Sequence, residues 1–175
     1  MRRKNGSGGW KNGWTAVLLA VLGVASAAVS GRDQAIIIDH HCTDIGKVPV
    51  KYIEKAKADF KVAYGHTSHG SQVVSGMNAL QKSNPSLFAF GRSGEGLSFL
   101  DGTPRGDLGN PDRRTWAART RDFLNRSGKD RNVILWSWCG QAGNASEDDI
   151  ETYLSLMNHL EKDFPGVTFV YMTGH

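Results

Sequence analysis

Apolar and polar positions alternate between two periods along this chain. Apolar runs at 35–38 (AIII), 61–64 (KVAY), 87–90, 132–138 (NVILWSW) and 167–172 (VTFVYM) read as short strands, with 132–138 the strongest. Between them the apolar positions fall at helical spacing. The segment 50–60 follows Pro49 and carries Tyr52, Ile53, Ala56 and Phe60 on one side. Val73, Met77 and Leu80 mark a helix over 72–81, and Trp116, Ala117, Thr120 and Leu124 mark one over 113–125. Ser146-x-x-Asp149 is a capping box that opens a helix carrying Ile150, Tyr153, Leu154, Met157, Leu160 and Phe164. Pro165-Gly166 stops it. The stretch 91–111, rich in Gly, Pro, Asp and Ser, reads as a long loop.

Strands that alternate with helices predict an α/β fold. Near-continuous apolar strands such as VILW belong in the middle of a parallel sheet covered on both faces. The expected architecture is a three-layer sandwich around a mainly parallel, flavodoxin-like sheet. The sequence ends at His175, just after a strand, so a further crossover and strand are expected beyond it.

The first 30 residues follow neither period. Arg2, Arg3, Lys4 and Lys11 precede an uncharged apolar run over 16–29 (AVLLAVLGVASAAV). That run is short for a bilayer span, which takes about 20 residues. Small residues close it, and Ala25-Ser26-Ala27 and Ala28-Val29-Ser30 both suit signal-peptide cleavage. The expected protein is a leader over 1–30 and one secreted or periplasmic domain over 31–175. It meets a membrane only through the leader, if that is left uncleaved.

The leader also changes the meaning of the charge. The chain has 21 Lys+Arg and 17 Asp+Glu, a net +4, but four of the basic residues lie in the leader. Without them, 17 basic residues face 17 acidic ones. No positive footprint remains to argue for nucleic acid. Arg113, Arg114, Arg119 and Arg121, interspersed with Asp112 and Asp122, read as a solvated helix face.

Candidate chemistry gathers where the strands end. In open α/β sheets ligands bind beyond the carboxyl ends of the strands. Asp39-His40-His41-Cys42 follows the first run, and Gly65-His66-Thr67-Ser68-His69-Gly70-Ser71 follows the second. Ser137-Trp138-Cys139-Gly140-Gln141 and Thr173-Gly174-His175 follow the last two. These clusters hold five of the six histidines; His159 alone lies on a helix. A strand, a glycine-containing turn with a hydroxyl, then a helix presents a nucleophile beside backbone N–H groups that favour an oxyanion. Ser68 is the best placed hydroxyl, with Thr67 and Ser71 behind it, and His66, His69 or His175 could supply the base.

The order of these blocks over about residues 60–175 resembles the SGNH/GDSL hydrolase superfamily. The resemblance implies an esterase or acyl hydrolase acting on ester-bearing saccharides, lipids or small molecules, with no cofactor. It sets Gly65-His66-Thr67-Ser68 in the nucleophile block. Gly91, Gly94 or Gly96 would be the oxyanion-hole glycine, with Ser137 and Gln141 in the block that carries the second oxyanion donor. The chain departs from the pattern in lacking Gly-Asp-Ser, in having Gln141 for the usual Asn, and in having no closing Asp-x-x-His.

Two other readings use the same clusters. His66-x-x-His69, His40-His41-Cys42 and Cys139 offer zinc ligands, though at no familiar zinc spacing. Trp136, Trp138 and the loop 91–111 could form a sugar-binding platform without catalysis. In an oxidising compartment Cys42 and Cys139 can pair, or Cys42 can pair with a cysteine beyond residue 175. The mature protein is expected to begin near Ala28 or Gly31, which N-terminal sequencing of protein recovered from its host checks; an intact Met1 on a cytoplasmic product would refute export.

Overall fold

The computed structural model describes residues 36–173. The chain divides into two compact units, Met1–Cys42 and Thr43–His175. In the first, an extended run leads into a single 3-10 turn, His40–Cys42. Ile36, Ile37 and Ile38 are exposed and join no strand, which corrects the strand expected over 35–38. Three β-branched residues favour extended backbone, but a strand needs a neighbour to take its hydrogen bonds. The leader, Ala35 and His175 lie outside the described residues.

The second unit is an α/β domain. Its order is α1 (Val50–Asp59), β1 (Lys61–Gly65), α2 (Ser71–Ser83), β2 (Phe90–Gly91), β3 (Leu97–Asp101), α3 (Thr115–Asn125), β4 (Val133–Trp136), α4 (Glu147–Asp163) and β5 (Thr168–Val170). The five strands form one sheet in the order β2-β3-β1-β4-β5 with every pair parallel. Among the described residues no helix is long and apolar enough to cross a membrane.

The pleat sorts side chains into two cores. Ala63, Ile134, Trp136 and Phe169 face one layer, where Trp116, Ala117 and Leu124 of α3 meet Tyr153, Met157 and Leu160 of α4. Val62, Tyr64, Phe99 and Val133 face the other, against Val74 and Met77 of α2. α1 packs beside β3. Helices therefore cover both faces, the three-layer sandwich that apolar central strands require.

The capping box opens α4 as expected. Ser146 Oγ accepts from Asp149 N at 3.2 Å, and Asp149 Oδ2 accepts from Ser146 N at 3.1 Å. Asn132 fixes the other end of the sheet. Its side chain accepts from Lys61 N at 2.7 Å and donates to the Asp59 carbonyl at 2.7 Å, tying the start of β1 to the start of β4.

Three expectations change. β3 lies inside the segment read as loop, because its five residues sit between Gly96 and Gly102 and the surrounding Gly, Pro and Ser mask a short apolar alternation. The strand expected over 87–90 shrinks to Phe90–Gly91. Asn84 holds the preceding residues in a turn, accepting from Leu87 N at 3.1 Å with its side chain and from Phe88 N at 2.9 Å with its carbonyl. Arg113 is not on a solvated face. It reaches inward to donate to the Gln141 carbonyl at 2.9 Å and lies over the Trp138 ring at 5.4 Å.

Where β1 meets β4, Gly65 pairs with Trp136. A Cβ at Gly65 would stand 2.4 Å from the Trp136 ring. That ring cannot yield: it is buried, lies edge-on to Trp116, and donates from Nε1 to Thr120 Oγ1 at 2.9 Å. Gly65→Ala is expected to cost about 1–3 kcal/mol by overpacking. Gly76→Ala, in α2 with open space at its Cβ, is expected to gain roughly 0.5–1 kcal/mol. Urea unfolding midpoints of the two variants check both signs.

Candidate functional site

The direction of the chain across the sheet reverses between β1 and β4: β3 lies on one side of β1, β4 and β5 on the other. Such a switch point leaves a crevice at the carboxyl ends of the two strands. Register decides what borders it. Tyr64 of β1 pairs with Asp101 of β3, and Gly65 with Trp136 of β4. Residues 66–70, Asp101 onward and 137–141 therefore leave the sheet side by side.

The turn after β1 is held from beneath. The buried Tyr64 hydroxyl donates to the Gly70 carbonyl at 3.1 Å, and burial raises its pKa, which keeps it protonated as a donor. The Tyr64 ring stacks under His66, with centroids 4.6 Å apart. Gly70 fits where no side chain could. A Cβ there would be 2.3 Å from Ser137 Oγ and 2.4 Å from His66 Cβ. Ser68, at the crest, has φ 28°, the only non-glycine positive φ among the described residues. A strained residue between a strand and a helix is a common signature of a functional turn.

Three polar contacts cross from this turn to the neighbouring strand ends. His66 Nε2 meets Asp101 Oδ1 at 2.6 Å. A carboxylate only accepts, so Nε2 is the donor. His66 Nδ1 is buried without a hydrogen-bond partner. The imidazole acts as a strut between β1 and β3. Thr67 Oγ1 donates to Asp107 Oδ2; Asp107 is fully buried, and its other oxygen accepts from Gly109 N at 2.8 Å.

The third contact is His69 Nδ1 to Cys139 Sγ, at 3.2 Å. His69 is exposed and Cys139 half-buried, so the pair opens to solvent. The His69 hydrogen bond is the main cause that lowers the Cys139 thiol from 9.0 to about 7. Burial opposes it, and backbone groups of His69 and Gly140 assist. A thiol so placed is substantially thiolate at neutral pH.

The expected site residues divide. His66, Thr67, Ser68, His69 and Ser137 come together. Ser71 begins α2, and its hydroxyl donates to the Ser68 carbonyl at 2.7 Å. Gln141 borders the edge, but its side chain packs on Gly109, and its Oε1 is buried without a hydrogen-bond partner. Gly94 is not at the edge. It lies in the return from β2, which leads to the amino end of β3, with open space about it.

Cys42 and Cys139 each carry a free thiol. Cys139 is engaged with His69, and Cys42 Sγ lies 3.8 Å from Asp39 Oδ1. Trp136 and Trp138 are buried and offer no ring face for a sugar. For a metal, the ligand atoms that gather among the described residues are those of Asp39, His40 and His41, all exposed and mutually within 4.8 Å.

Sequence reading missed Asp101 and Asp107 and saw Cys139 only as a disulfide partner or a zinc ligand. An aspartate closing the short alternation LSFLD was the available signal for Asp101. An apolar cavity of about 120 Å³ lies elsewhere, lined by Ile53, Ala56, Met77, Leu80, Phe90 and Leu97. No protein-family model, no curated protein and no solved structure matches the chain.

The lowered thiol has a direct readout. In a Cys42→Ser background, alkylation of Cys139 by iodoacetamide should rise with a midpoint near pH 7, its value in the folded protein. His69→Ala should move that midpoint up toward 9.0. A midpoint near 9.0 in the unaltered pair would refute the thiol–imidazole coupling.

Proposed function

We propose that the carboxyl-end edge of the sheet is the active site of an exported hydrolase that cleaves acyl esters of saccharides, lipids or small molecules. The observation that supports it is the placement of His69: an exposed imidazole at the switch point, hydrogen-bonded to one nucleophile-type side chain and next in sequence to another. Acyl transfer needs such an arrangement. A nucleophile attacks the ester carbonyl, an imidazole takes its proton and returns it to the leaving alcohol, and water then releases the acid. The basic start and the apolar run over 16–29 support export. The block order over 60–175 supports a hydrolase of the SGNH type.

The reaction is kept on the edge by parts that do not react. The His66–Asp101 strut and the Tyr64–Gly70 hydrogen bond hold the turn in place. Thr67, tied to buried Asp107, sets the height of the turn over the end of β4. Rigid support of this kind is what holds reacting groups within reach of one another.

The test is turnover on a panel of nitrophenyl esters of graded acyl length and of acetylated saccharides. His69→Ala should lower kcat/KM about 10²–10⁴-fold, the range expected for a positioned acid–base group. Background-level hydrolysis of the whole panel by the unaltered protein would overturn the reading.

A further inference from the structure

We infer that Cys139 is the nucleophile of this edge, with His69 as its proton acceptor, and that the acyl group passes through a thioester on Cys139 Sγ. The inference rests on the hydrolase reading above and names the reacting atom.

The geometry separates the two candidates. A hydroxyl becomes a nucleophile only with a base in contact to take its proton. Ser68 is exposed, and its hydroxyl makes no hydrogen bond among the described residues. Cys139 has that base: His69 Nδ1 is 3.2 Å from its sulfur. A thiol is also the stronger nucleophile at neutral pH. Cys139 stands three residues past the end of β4, at the crevice where the strand order reverses. The Thr67 hydroxyl adds a second polar neighbour to the sulfur. Thr67 is in turn anchored to Asp107. Asp107, Thr67, Cys139 and His69 form one chain of contacts across three strand ends.

The step balances without an oxidant or metal. The Cys139 proton passes to His69, and the thiolate forms a bond to the ester carbonyl carbon. The tetrahedral oxyanion collapses, the carbon–oxygen bond to the alcohol breaks, and the alkoxide takes the proton from His69. Water then gives a proton to His69 and attacks the thioester, and the carbon–sulfur bond breaks. The thiolate recovers its proton. The net change is ester plus water to acid plus alcohol.

The inference also assigns Ser68 a different part. Its φ of 28° turns the chain sharply enough to bring His69 back over the end of β4, so it shapes the turn rather than reacting.

The experiment uses the full chain and the most reactive nitrophenyl ester of the panel. Cys139→Ala should lose at least about 100-fold in kcat/KM, while Cys42→Ser stays at the level of the unaltered protein. Quenching during the burst should give an acyl mass increment on the peptide bearing Cys139, removed by neutral hydroxylamine as a thioester is. An increment on the peptide bearing Ser68 that resists neutral hydroxylamine overturns the inference and leaves the hydrolase standing. Full turnover by Cys139→Ala does the same. If Cys139→Ala fails to fold, the trapped peptide of the unaltered protein still decides between the two. No hydrolysis of any ester by the unaltered protein fails the hydrolase reading itself, and the inference with it.

Discussion

β1 is the hinge of the whole arrangement. It is hydrogen-bonded to β3 on one side and to β4 on the other, both in parallel. A parallel ladder allows no independent choice of where neighbouring strands end once the register is set. Asn132 sets it between β1 and β4 at the amino ends, bonding to Asp59 and Lys61. At the other end, Tyr64 is then level with Asp101, and Gly65 with Trp136. A slip of one residue would turn Tyr64 from its buried place toward the tryptophan core and carry the following turn with it.

The turn itself is a balance between a buried support and an open crest. Tyr64 is fully buried and Gly70 buried, whereas Ser68 and His69, between them in sequence, are exposed. The support is polar as well as apolar: a phenol bonded to a carbonyl and a buried carboxylate bonded to a hydroxyl and an amide. A buried carboxylate is costly unless its lone pairs are occupied. Both Asp107 oxygens accept, one from Thr67 and one from Gly109. That expense fixes Thr67, and with it the distance between the β1 turn and the end of β4.

Much of the fold was legible because it depends on period alone. The helices over 50–60 and 72–81 and the strands KVAY and VILW come from patterns long or apolar enough to survive tertiary context. The strand expected at Ile36–Ile38 was not, since strand propensity says nothing about whether a partner is in reach. β3 was hidden for the opposite reason: a well-paired strand of ordinary composition lay among glycines and a proline. The cluster of histidines at strand ends drew attention to residues 66–69, which the fold sets beside the ends of β3 and β4. It could not show that His66 is tied to Asp101 while His69 faces out. Nor could it show that Cys139 meets an imidazole. Those distinctions depend on register and on side-chain direction, which one sequence does not encode locally.

The glycine that ends β1 and the tryptophan that ends β4 occupy the same small volume. Packing couples the two positions. While the indole stays, any side chain at position 65 crowds it. Replacing the indole by a smaller residue frees that position and loses the bond to Thr120 at the same time. Glycine at 65 is thus a record of the tryptophan opposite it. In a distant relative, a side chain at 65 would announce a rebuilt core beneath the crevice before its structure was known.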